Sequence, residues 1–425
     1  MFECVVRAAC KGGIAVLLYS SAALAQNASD TGVAGALRAT LRNHPAVAGQ
    51  QAQVDARRFA ADGVRSQRYP TLSALAQQYA QGDRSSVTGE DLSQPAILRL
   101  RQPIWSFGRI KYDIAVANAE VDMEQADLLR LRRQLLEATA TAYALVRGNT
   151  QSVDVARENV TAHQLLLAQI QRRVQGQLSS NVDERLASSR LAQARSLLQR
   201  VNSRLEIAQE DLVALTRAPV DTAPAVPQAL LDLPDALIDT ALERNADLQV
   251  KQQQLDVADA EVKRARTATL PTIYLQADRL HDQPALVDDN QISVVFEASL
   301  EGLGFAARGR RGEASSGRHA ARRDLEATRI EVRRALEGLV RERRLQAELI
   351  ELQTGGLSDL KSLIDSYRRQ YASGTKSWLD VMNLQREFYG QNAQHVQAKT
   401  DYVIYSLQLQ ARTGGLDGVA GLPND

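Results

Sequence analysis

Cysteine is almost missing from this chain: Cys4 and Cys10 are the only two, and both lie in the first 25 residues. That segment carries Arg7 and Lys11, an apolar stretch from Gly12 to Leu18, and Ala23-Leu24-Ala25. This is the order of a secretory signal peptide, with cleavage expected between Ala25 and Gln26. The apolar stretch is far short of the ~20 residues a helix needs to cross a bilayer core. A mature chain so cut has no disulfide, no thiolate nucleophile, no thiolate metal site and no cysteine for a lipid anchor.

Other absences narrow the field. Aromatic residues make up only 4% of the chain, whereas large compact cores lean on Phe, Tyr and Trp for buried area. Charge of one sign is also lacking, because the segment after residue 25 holds 49 Lys+Arg against 49 Asp+Glu. Such a balance speaks against a polyanion or nucleic-acid binder. No later apolar run approaches a spanning helix, so any route into a membrane must be a closed β-barrel.

Catalytic vocabulary is scarce as well. His44, His163, His281, His319 and His395 stand singly, with no second ligand at metal spacing, so neither cofactor, metal site nor enzyme activity is expected. The Gly302–Gly309 stretch fits neither dinucleotide nor phosphate-loop spacing and reads as a strand exit. Arg308, Arg310, Arg311, Arg318, Arg322 and Arg323 form a basic run without aromatic interleaving, which reads as a solvated helix face.

What is present is a repeat. Leu41 to Pro70 returns as Leu242 to Pro271, 201 positions on, and Arg68-Tyr-Pro-Thr-Leu is answered by Thr269-Leu-Pro-Thr-Ile. A helical pattern runs from about Ala34 to Arg68, and a strand is expected from Thr71 to about Tyr79. Gln81 to Ser93, rich in Gly, Asp, Ser and Thr, reads as a loop. In the next strand Leu98, Leu100 and Ile104 share one face, and Arg99 and Arg101 the other. In the second copy Ile273, Leu275 and Ala277 alternate with Tyr274, Gln276 and Asp278, and Ile292, Val294, Phe296, Ala298 and Leu300 alternate with polar residues. One face suits lipid and the other a wet lumen. The alternative is a soluble sheet with one buried face.

Each strand pair leads through a Gly-marked turn, Ser106-Phe107-Gly108 or Gly302-Leu303-Gly304, into a long helix. These are expected over Ile110–Val174, with Gly148-Asn149 a candidate break, and over Gly312–Tyr371, with Gly355-Gly356 a second. Helices of this length reach ~90 Å. Both turn at a glycine, Gly176 or Gly374, and return to about Thr216 and Arg412. The organisation is then a leader (1–25), a first repeat (26–217), a Pro-rich linker (218–234), a second repeat (235–414) and a tail (415–425).

The most specific local sequence is Tyr371-Ala-Ser-Gly-Thr-Lys-Ser-Trp-Leu-Asp-Val-Met-Asn383. Gly374 permits a tight reversal, Ser377 can cap the returning helix, and Asp380 falls where the helix dipole favours a carboxylate.

With these halves, strands and turn, the chain resembles the TolC-like outer membrane factor family over about Ala34 to Gly414. The resemblance implies a mainly α fold with a small antiparallel β-barrel portion. In that fold, a homotrimer pools four strands per chain into a twelve-stranded barrel in outer membrane lipid, continuous with an α-helical tunnel in the periplasm. Implied partners are a periplasmic adaptor (membrane fusion protein) and an inner-membrane pump. Residues carried over are Tyr371 and Lys376 as links between neighbouring hairpins at a periplasmic constriction, and Asp380 as an acidic ring position. Asn383 replaces a second acid, which implies a weaker anionic ring. In the other tip Asp183 lies one residue further from its glycine than the pattern asks. Gly176, Ser179 and Asp183, with Gly374, Ser377 and Trp378, are the candidates for touching the adaptor. Ser-Trp-Leu-Asp-Val followed by Gln385-Arg386-Glu387 looks most like the branch serving type I secretion, which implies an ABC transporter and an exported protein substrate. Two other readings are an efflux channel for drugs or metals and a periplasmic coiled-coil scaffold.

Overall fold

A computed structural model describes residues 31–76, 96–233, 237–281, 289–299 and 301–422. The signal segment with Ala25 and Gln26, the expected strand end at Tyr79, the loop at 81–93, Pro234 and Leu300 lie outside the described residues. The first repeat runs α1 (Gly32–Asn43), α2 (Pro45–Arg65), β1 (Thr71–Ala76), β2 (Ala96–Trp105), α3 (Arg109–Gln175) and α4 (Asn181–Thr216). The second runs α5 (Leu237–Arg244), α6 (Ala246–Thr267), β3 (Thr272–His281), β4 (Asp289–Glu297), α7 (Phe305–Ala372) and α8 (Trp378–Arg412), followed by the short α9 (Asp417–Ala420).

The first helical segment is not continuous as expected but breaks at His44. Pro45 cannot donate a backbone hydrogen bond and pushes its predecessor out of helical geometry, so His44 is extended (φ −74°, ψ 122°). Asn245, 201 positions later, has the same backbone (φ −63°, ψ 127°) without a proline. Its carboxamide accepts from the N–H groups of Asp247 (3.0 Å) and Leu248 (3.2 Å) and so caps α6. One break, kept at equivalent positions, is made by two different chemistries.

The long helices, by contrast, do not break. α3 (67 residues) passes through Gly148-Asn149, and α7 (68 residues) starts at Phe305 rather than Gly312 and passes through Gly355-Gly356. Each spans ~100 Å at 1.5 Å per residue. A glycine costs a helix only ~1 kcal/mol, which the surrounding turns carry. At Gly148 the missing side chain has a use, because a Cβ there would lie 2.9 Å from the Cβ of Thr400 on α8. Both long helices begin after a left-handed glycine, Gly108 (φ 90°) and Gly304 (φ 91°).

The strands form one antiparallel sheet in the order β1-β2-β3-β4. Register places Leu72, Leu100, Ala277 and Ile292 side by side, with Leu275 opposite Val294 and Ile273 opposite Phe296. This face is open, with Ile292 78% and Phe296 65% exposed. On the other face Arg99 pairs with Asp278 (2.9 Å), Arg101 pairs with Glu297 (2.6 Å) and stacks on Tyr274, and Gln276 donates to Asp278 (2.6 Å). The alternation is as expected except in two places: β4 ends at Glu297, so Ala298 lies beyond the strand, and at Ile104 an irregularity between Pro103 and Trp105 puts Trp105 opposite Ile273. Proline offers no ladder donor, and a bulge absorbs the mismatch.

α3 is the spine: α4, α8, α6, α2 and α1 all pack along it. The largest core lies halfway down, where Tyr143, Leu136 and Val146 of α3 meet Leu37 of α1, Leu212 of α4, Leu407 of α8 and Leu416 beyond it. Alanines between them, such as Ala36 and Ala140, let the helix backbones approach closely. The segments expected as linker and tail are part of this belt. Tyr143 donates to the Pro224 carbonyl (2.7 Å), and Arg147 donates to the carbonyls of Thr222 (3.0 Å), Ala223 and Pro224 (2.7 Å). A proline-rich run has carbonyls in excess of N–H groups, and these side chains supply the donors. In the tail Asp417 is paired with Arg133 at 2.7 Å, and that guanidinium also donates to the Arg244 carbonyl.

Gly148→Ala is expected to lower stability by about 1–3 kcal/mol through overpacking against Thr400. Gly355→Ala, which meets nothing within 4 Å, should leave stability unchanged or slightly raised in the same thermal unfolding measurement.

Candidate functional site

The ends of the two helical hairpins hold the residues singled out from sequence. Both turns close the same way: Leu178 N–H donates to the Arg173 carbonyl (2.7 Å), and Thr375 N–H donates to the Gln370 carbonyl (2.9 Å). The left-handed residue is Gly374 (φ 79°) in the second turn and Gln177 (φ 59°) in the first. Gly176, at φ −82°, is instead the C-cap of α3 and corresponds to Ser373. The apparent extra residue between Gly176 and Asp183 thus belongs to the glycine, not to the aspartate. A glutamine in left-handed geometry costs ~1 kcal/mol, which the surrounding turn carries.

Asp183 and Asp380 hold equivalent positions at the start of the returning helices. Asp183 N–H donates to Ser180 Oγ (3.2 Å), and Ser180 N–H donates back to the carboxylate (3.0 Å). Asp380 N–H donates to Ser377 Oγ (3.4 Å), and Ser377 N–H donates back (3.3 Å). These are capping boxes with aspartate in the third position. Ser179 adds a hydroxyl bond to Asp183 (2.9 Å). The Ser180 backbone, the Ser179 hydroxyl and, more weakly, the Trp378 indole hold the Asp183 carboxyl below its ordinary range.

The tips are also packed on each other. Tyr371, Trp378, Val381 and Met382 of the second hairpin form one cluster with Leu166, Ile170 and Ala187 of the first. Arg173 lies 4.8 Å from the centre of the Tyr371 ring and donates to the Tyr371 carbonyl (3.1 Å). Burial pushes the Tyr371 phenol up against the opposing pull of Arg173. Lys376 sits over Tyr367 at 4.6 Å, within its own hairpin. Trp378 is turned inward, and the exposed apolar tip side chains are Leu178, Val182 and Leu379. Asn383 stands apart, in a groove facing α4. Arg173 and Tyr367 were not singled out from sequence; the one hint was the Arg172-Arg173 pair closing a helix, where cations favour the dipole.

The sequence profile described as "Outer membrane efflux protein" matches residues 36–216 and 237–415, both repeats and most of the chain. The chain belongs to the outer membrane efflux protein family. Two curated relatives from Pseudomonas putida, the solvent efflux pump outer membrane protein SrpC and the toluene efflux pump outer membrane protein TtgI, are each 24% identical over 387 residues, covering 83% of this chain and 78% of theirs. Among solved structures the outer-membrane channel OprN (TM-score 0.80, 18% identity) covers 90% of both chains. CusC (TM-score 0.82, 16% identity) covers 90% of this chain and 91% of its own. The fold is therefore that of the channel-tunnels, located in the outer membrane with the helical part in the periplasm. The family works as a homotrimeric channel with a periplasmic adaptor and an inner-membrane pump, and is not an enzyme family.

The depressed Asp183 carboxyl makes the first tip's stability pH-dependent. A lowered folded-state pKa contributes stability above the unfolded value and loses it as pH falls through the folded one, here below about pH 4. In a Trp105→Phe background, Trp378 fluorescence should report a transition as pH falls below about 4 that Asp183→Asn lacks; an identical transition in both would remove Asp183 from the contact.

Proposed function

We propose that this chain is the outer membrane channel of a small-molecule efflux pump for apolar compounds, conducting passively what an inner-membrane pump and a periplasmic adaptor deliver. The observation that carries the cargo class is the pair of relatives named for solvent and toluene efflux, matched along most of the chain. The fold supports the channel itself. Three copies of the four-stranded sheet close a twelve-stranded barrel, with the leucine, isoleucine and phenylalanine face toward lipid and the Arg99–Asp278 and Arg101–Glu297 pairs toward water.

The expectation of type I secretion rested on Ser377 to Val381 and Gln385 to Glu387. In the structure those residues have work inside the hairpin: Ser377 caps α8, Trp378 is buried, and Gln385 is buried and accepts from Arg368 (3.2 Å). Packing accounts for the motif without reference to cargo. A protein substrate and an ABC transporter remain the second reading.

At the tips, Asp380 repeated around a threefold axis makes an acidic ring, with uncharged Asn383 about five-sixths of a turn further into the helix adding no charge. Tyr371 and Lys376 hold the second hairpin's tip in shape, and exposed Leu178, Val182 and Leu379 beside Gly176, Ser179, Asp183, Gly374 and Ser377 offer the adaptor an apolar contact. Trp378 supports this surface from beneath.

Removing the gene should sensitise the host to toluene and to apolar drugs while leaving its secreted proteins unchanged. Retained solvent tolerance with loss of a large surface protein would replace the efflux reading by the secretion reading. Asp380→Ala should raise single-channel conductance in planar bilayers or weaken block by divalent cations; if neither moves, the constriction lies elsewhere.

A further inference from the structure

α4 and α8 both pack along α3, and a groove of about 320 Å³ lies where the three meet, just inside the hairpin tips. Its floor is Asn159 and His163 of α3, which are 6% and 8% exposed. Arg190 and Arg200 stand on the α4 wall and Arg386 on the α8 wall, and among the described residues no carboxylate lines the groove. Among the described residues none of these three guanidinium groups forms an ion pair, and Arg190 has one hydrogen bond, to Gln193 (2.9 Å). In a chain whose positive and negative charges are otherwise balanced, this is a local excess of cation.

The two walls belong to different hairpins, so their like charges push the hairpins apart. The floor adds a second demand: among the described residues Asn159 Oδ1 is buried without a hydrogen-bond partner, and an unmet buried acceptor is costly. A ligand that satisfies both is an anion that also carries a hydroxyl.

We propose that this groove binds hydrogen phosphate, which bridges Arg386 of the second hairpin to Arg190 and Arg200 of the first. Guanidinium forks match its oxygens in bidentate geometry, which favours it over chloride. Its hydroxyl donates to Asn159 Oδ1, which a carboxylate such as acetate cannot do. The bound anion acts as a clasp: it turns repulsion between the hairpins into attraction at the level where the tunnel narrows. The proposal rests on this groove alone and is independent of the cargo.

The test uses the purified full-length protein in detergent, titrated calorimetrically with inorganic phosphate and, separately, with acetate at matched ionic strength. Saturable phosphate binding is expected, with acetate about tenfold weaker, the scale of one hydrogen bond to a charged group. Arg386→Gln and Arg190→Gln should each weaken phosphate about tenfold, whereas Arg195→Gln, on the same helix but outside the groove, should not. Without phosphate at low salt, Arg386→Gln should unfold at the same or a higher temperature than the parent, because a repulsion has been removed. A merely structural arginine would give the opposite sign. No saturable phosphate binding by the parent protein, or equal binding by Arg386→Gln and Arg190→Gln, overturns the proposal. Should Arg386→Gln fail to fold, Arg190→Gln and Arg200→Gln on the other wall give the same reading.

Discussion

Among the described residues, strands β1 and β4 each have a neighbour on one side only. Inside lipid there is no water to take up the free N–H and C=O groups of such edges, and each one left unmet costs several kcal/mol. A four-stranded sheet with an apolar face therefore cannot sit in a bilayer by itself, whereas the same sheet repeated around an axis has no edge at all. The polar face adds the complementary demand, since Arg99, Arg101, Asp278 and Glu297 need water or one another. Closure meets both requirements together, with lipid outside and a wet lumen within.

The helical part obeys the same logic of surfaces awaiting neighbours. α3 is covered by five other helices, while α7, one residue longer, buries only Ala307, Leu336, Ile364 and Tyr371. Its Ile330 and Leu352 stand exposed to solvent. Halfway down, the belt built from α1, the 218–233 segment and the C-terminal residues pins both hairpins at one level.

The far ends of the hairpins are where the two repeats differ in charge and size while sharing backbone. Each tip has the same turn and the same Ser–Asp cap. One then carries Arg173 and Asp183, the other Tyr371 and Trp378, and these pairs meet across the hairpin junction. Duplication supplied two interchangeable ends, and divergence made them complementary.

Much of this is legible in the chain itself. The alternation through Ile273–Asp278 and Ile292–Phe296, the prolines before β1 and β3 and the Ser377 cap are local signals, because strand faces, proline geometry and caps depend only on near neighbours. Other features were hidden because they depend on what approaches from elsewhere. Nothing near Gly148 announces that Thr400 will lie against it, so a glycine that looks like a break is in fact a contact. Gly176 reads as the partner of Gly374 until backbone torsions assign that place to Gln177. Trp378, conspicuous as a tip residue, is turned inward by a cluster drawn from three other helices, and Arg173 gains its role only when Tyr371 arrives from 198 positions away. Periodicity and caps are written along one strand or one helix; the partners of a long helix are chosen by packing between segments distant in sequence, and only the tertiary structure decides them.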